Sequence, residues 1–122
     1  MTTLGRYRDL LVWQKSLDLV EQVYRLTQRL PQTEIYGLSS QMRRAAVSIP
    51  SNIAEGQSRN STGEFRQALG VAKGSLAELE TQLLIGVRLT YLAEAQTSPV
   101  LALCQEIGKM LNGLIKSLRS KR

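Results

Sequence analysis

The chain has 122 residues, of which 43% are hydrophobic and 21% charged, with a formal net charge of +6. That length suits one domain, expected to span residues 1–122, and the balance is globular rather than disordered. There is no histidine and one cysteine, Cys104, which excludes imidazole acid–base work, Ser-His-Asp triads, internal disulfides and Cys/His metal clusters.

Apolar residues recur at helical spacing almost throughout. In the first segment Leu10, Trp13, Leu17, Val20 and Tyr24 step by three and four, which lines one helix face. Pro31 stops that helix after Leu30. The second segment has Leu38, Met42, Ala45, Ile49 and Ile53 as its stripe, Ser39 as N-cap and Gly56 as the residue past its end. Pro50 lies inside it and removes one N–H, so a kinked but single helix is expected. In the third segment Phe65, Leu69, Ala72, Leu76, Leu79, Leu83 and Gly86 alternate fours and threes, opened by a Ser61–Glu64 capping box. The fourth carries Cys104, Ile107, Leu111, Leu114 and Leu118, with Ser98-Pro99 as its N-cap and first residue.

Aromatics at 5% and three prolines are too few for a many-stranded sandwich or barrel. The pattern predicts an all-α, up-down-up-down four-helix bundle, because short links force neighbouring helices to be antiparallel. A second stripe on helix 1, made of Val12, Leu19, Val23, Leu26 and Leu30, lies roughly 110° round from the first. Helix 2 is also apolar over much of its circumference. A bundle hides one face of each helix, so the extra stripe is expected to bury itself in a homo-oligomer interface.

The positive charge is uneven. From Lys109 onward the basic residues Lys109, Lys116, Arg119, Lys121 and Arg122 meet no acid, and residues 119–122 form a basic tail. This points to a polyanion, RNA or DNA, with Arg43, Arg44 and Arg59 as further contacts. The segment from Gly37 to Ala54 holds no acid, which leaves the Arg43-Arg44 pair in a positive stretch. Trp13 and Tyr24 are read as core, not as a stacking platform.

Chemistry-bearing motifs are scarce. No glycine-rich phosphate loop is present. Gly70, Gly74 and Gly86 fit close helix approach. Glu78 and Glu80 fit structural ion pairs with Arg43 or Arg44 better than acid–base work, since residues two apart on a helix do not face each other. Cys104 fits a buried apolar thiol. These features predict no enzyme, no cofactor and no metal site. No targeting segment and no apolar run of membrane length is visible, so a cytoplasmic protein without membrane contact is expected.

Arg8-Asp9-Leu10 with Val12-Trp13-Gln14-Lys15, Leu30-Pro31, Tyr36-Gly37-Leu38, the run from Gln41 to Gly56 (QMRRAAVSIPSNIAEG) and Glu78–Leu83 (ELETQL) resemble the bacterial 23S rRNA-intervening sequence proteins. The resemblance covers roughly residues 7–92. It implies a four-helix bundle assembled into a ring-like homopentamer. The family name records reading frames inside insertions in ribosomal RNA genes, not an activity. A related group comprises accessory proteins of diversity-generating retroelements, which are basic pentamers that bind nucleic acid and a reverse transcriptase.

Two functions are consistent with these readings. One is a non-catalytic oligomer that binds RNA or DNA, with the ring multiplying each subunit's modest patch. The other is a protein-interaction scaffold that docks an enzyme such as a reverse transcriptase. Steep salt dependence marks the first and not the second.

Overall fold

A computed structural model describes residues 6–119. A single 3-10 turn, Tyr7–Asp9, precedes α1 (Leu11–Thr27). A second short turn, Gln32–Glu34, leads into α2 (Leu38–Gln57), followed by α3 (Thr62–Arg88) and α4 (Glu94–Arg119). Among the described residues there is no strand, and no helix is long and apolar enough to cross a membrane.

Each helix packs on two neighbours. α1 packs beside α2 and α4, and α3 beside α2 and α4, while the backbones of the diagonal pairs stay farther apart. Adjacent helices run antiparallel: Ser48 of α2 bonds Ser75 of α3, while Gly56, further along α2, lies against Ala68, earlier on α3. The α2–α3 seam is the most extensive. Gly56 makes that possible, because a Cβ there would stand 2.4 Å from the Cβ of Ala68. Gly56 therefore lies within α2 as a packing residue, and the helix runs on to Gln57 instead of ending before it. Gly86 has the same function toward Leu92, at 2.7 Å. Gly70 and Gly74 do not, since nothing lies within 4 Å of a Cβ at either position.

The core is built by the predicted stripes of α2, α3 and α4. Met42, Ile49, Ile53, Leu69, Leu79, Leu83, Cys104, Ile107 and Leu111 are fully buried. On α1 the expectation is corrected in part: Leu10, Trp13 and Val20 of the first stripe pack half-buried against the core, as expected, but the most deeply buried face is the second stripe. Val12, Leu19, Val23, Leu26 and Leu30, expected between subunits, are core residues of the single chain, with Leu19 and Val23 at 0% exposure. Leu17 and Tyr24, expected inside, are each 40% exposed. Two hidden hydroxyls are compatible with burial of the second stripe. Ser16 and Thr27 share the buried face, and each satisfies its hydroxyl on its own helix: Ser16 Oγ donates to the Trp13 carbonyl at 2.7 Å, and Thr27 Oγ1 to that of Tyr24 at 2.9 Å. A back-bonded hydroxyl can be buried at little cost. Polar residues therefore interrupt the true inward stripe in the sequence but not in the fold.

The helix ends also depart from expectation in two places. Ser39 is buried inside α2, and the first free N–H is capped from outside, by Glu34 Oε1 on Leu38 N at 2.9 Å. α4 starts at Glu94, so Ser98 and Pro99 lie inside it, and Ser98 Oγ back-bonds to the Glu94 carbonyl. Pro99 there forfeits one hydrogen bond near the helix start, at an exposed position. The Ser61 cap forms as predicted, with Glu64 N donating to Ser61 Oγ at 3.1 Å. Pro50 is accommodated within one unbroken helix, α2.

Candidate nucleic-acid interface

Antiparallel packing sets the start of α3 against the end of α4. Arg66 and Lys73 are spaced seven apart, so they stand on one face of α3; Gly70 lies between them on that stripe and Gly63 one turn before Arg66. With no Cβ at Gly63 and Gly70, the floor stays low. Arg119 and Ile115 approach from α4. The result is an open cleft of about 430 Å³ lined by Gly63, Arg66, Gln67, Gly70, Lys73, Ile115 and Arg119. Three cations line it and no carboxylate does. None of the three forms an ion pair among the described residues.

The residues expected to contact nucleic acid divide between different surroundings. Arg119 lines this cleft, and Lys116, one turn earlier, is exposed on the same helix. Lys121 and Arg122 lie outside the described residues. Arg59 is drawn into an ion pair with Glu55 at 2.9 Å, in a cleft that Glu64 also lines. The two carboxylates offset the local positive charge there, although the Arg59–Glu55 pair itself is exposed and weak.

Arg43 and Arg44 lie on the opposite side of the bundle, at the α1–α2 seam. Arg43 Nε donates to Thr27 Oγ1 at 2.8 Å, and its guanidinium lies 4.7 Å from the centre of the Tyr24 ring. Arg44 makes no ion pair with Glu78 or Glu80, contrary to expectation. Both arginines line a cleft of about 580 Å³ with Tyr24, Ile35, Tyr36, Ser40, Val47 and Ser48.

Arg66 and Lys73 are the residues that sequence reasoning missed. Their signal was present: two cations and two glycines on one heptad stripe of a helix. It was masked by the denser cation run after Lys109. Cys104, the lone thiol, is sealed in the core. Burial pushes its pKa up to about 12, and the charge of Glu80 adds to the rise, so it stays a neutral thiol.

The profile of the 23S rRNA-intervening sequence protein family matches residues 8–113, and the chain belongs to that family. Its backbone is similar to a crystal structure of a protein of unknown function from the S23 ribosomal protein family of Bacteroides thetaiotaomicron. The two share 28% sequence identity with a TM-score of 0.81, over 87% of this chain and 99% of that one. No curated protein matches the chain.

Proposed function

We propose that this member of the 23S rRNA-intervening sequence protein family is a non-catalytic nucleic-acid-binding protein that grips the phosphate backbone in the α3–α4 cleft. The observation that carries this reading is the set Arg66, Lys73 and Arg119, three cations around one open floor with no acid among the lining residues. Clustered, uncompensated cations attract a polyanion through counterion release, and the attraction carries no sequence information. The exposed Lys116 adds to the positive charge at this end of α4, and Lys121 and Arg122 follow in the sequence.

One subunit offers few phosphate contacts, so the reading includes assembly into a homo-oligomer, with five subunits as the family resemblance implies. Avidity then multiplies a weak site. Exposed apolar residues on α3, Val71, Leu84, Ile85 and Leu89, offer surface for assembly, as do Leu11, Leu17 and Val47 on α1 and α2. These residues also support the second reading, a surface that docks a partner enzyme such as a reverse transcriptase.

Fluorescence anisotropy over a range of salt concentrations tests the choice. Each neutralised phosphate contributes roughly −0.9 to the slope of log affinity against log salt on duplex DNA. Changing Arg66, Lys73 and Arg119 together to Gln should weaken binding and flatten that slope by about 2 to 3. Failure of the unmodified protein to bind either duplex or single-stranded nucleic acid at low salt would sink the reading and leave the docking role.

A further inference from the structure

The α1–α2 cleft holds a feature that backbone binding does not use. Tyr36 is 94% exposed, in the turn between Glu34 and α2. The turn itself is ordered: Gly37 N donates to the Glu34 carbonyl at 2.9 Å, and Glu34 Oε1 receives Leu38 N. A large ring is thus presented to water on a fixed support, which costs hydrophobic free energy unless something covers it.

Its neighbours are chosen for anions. Thr27 Oγ1 takes one nitrogen of Arg43, and Tyr24 lies beneath its plane, so the guanidinium is oriented with its terminal nitrogens uncommitted. The Arg44 side chain makes no ion pair among the described residues, and no carboxylate lines the cleft. An oriented guanidinium loses little entropy when it engages a phosphate. The cleft also lies across the bundle from the α3–α4 cations.

We propose that the Tyr36 cleft is a second site that takes an unpaired nucleotide of a single strand, the base stacked on Tyr36 and the phosphate held by Arg43 and Arg44. It rests on the reading of the protein as a nucleic-acid binder and adds a preference for unpaired segments. A duplex buries its base faces in its own stack, so only a single strand can offer one to the ring.

The test uses the full chain, a fluorescein-labelled oligo(U) strand and a labelled duplex of equal length. Tyr36→Ala should weaken oligo(U) binding roughly tenfold or more, and Tyr36→Phe should restore it, because stacking needs the ring and not the hydroxyl. Arg44→Gln should also weaken oligo(U). Duplex affinity should move less than twofold in all three. The Arg66/Lys73/Arg119→Gln variant should lose duplex affinity instead. Unchanged oligo(U) binding by Tyr36→Ala overturns the stacking site while the backbone reading stands. Oligo(U) binding that needs Tyr36, with duplex binding absent, overturns the backbone reading and keeps the stacking site. If Tyr36→Ala lowers the sedimentation mass, or abolishes capture of an acidic peptide, without changing oligo(U) affinity, the cleft is a protein interface and the proposal fails.

Discussion

The hydroxyl of Tyr91 donates to Glu34 Oε2 at 3.2 Å, across 57 positions of sequence. The other oxygen of the same carboxylate caps Leu38 N. One side chain therefore ties the α3–α4 connection to the α1–α2 connection and closes one end of α2. Glu34→Ala removes a cap and should cost about 1 kcal/mol by denaturant titration. The pH dependence has a definite sign. Partial loss of water raises the Tyr91 phenol above 10.0, and its hydrogen bond to Glu34 and that carboxylate's charge raise it further. A raised native pKa means the contribution is whole below pH 10 and is lost as pH climbs through the native value. The gap in stability between the unmodified protein and Tyr91→Phe should therefore shrink above pH 10.

Thr90 is the one non-glycine residue with positive φ among those described, at 62°. It closes α3: Thr90 N bonds the Val87 carbonyl and Tyr91 N the Gly86 carbonyl, both at 2.9 Å, the two bonds of a Schellman motif. A β-branched residue is strained there. Thr90→Gly should stabilise the protein by about 0.5–1 kcal/mol, read as a rise in melting temperature.

Two glycines inside helices should respond in opposite directions to the same substitution. Gly56→Ala drives a methyl into Ala68 and should destabilise by about 1–3 kcal/mol as α2 and α3 are forced apart. Gly70→Ala meets nothing in the chain and should stabilise by up to about 1 kcal/mol through helix propensity. Equal effects in urea melts would contradict the packing described for the α2–α3 seam.

On α1 the two stripes are separable by a single charge. Leu19→Glu places a carboxylate at a site with 0% exposure and should abolish the cooperative fold seen by circular dichroism. Leu17→Glu, at a site 40% exposed, should leave the helical spectrum intact. Survival of helicity in the Leu19 variant would return that stripe to a subunit interface.

Cys104 should react with a thiol reagent only when the bundle opens. It is buried, and its pKa of about 12 leaves almost no thiolate at neutral pH. Labelling rates should therefore rise with urea in step with unfolding. Prompt labelling of the native protein would show that the α4 core is more accessible than its packing suggests.

Much of the fold was legible because helix signals are local. Stripes stepping by three and four, a Ser61–Glu64 cap and short links specify four antiparallel helices without reference to anything distant in the chain. The overall excess of positive charge was likewise readable from composition. What the sequence could not decide was which face of α1 turns inward, since two apolar stripes compete and the inward one is interrupted by Ser16 and Thr27. That choice depends on the surfaces α2 and α4 present, and hydroxyls that bond back to their own helix are compatible with it. Nor could it decide which cations gather. Arg66, Lys73 and Arg119 come from opposite ends of two antiparallel helices, whereas Arg59, equally basic on paper, folds against Glu55. Local periodicity sets each helix; the pairing of helices sets which side chains share a surface, because residues far apart in sequence meet only once the bundle has closed.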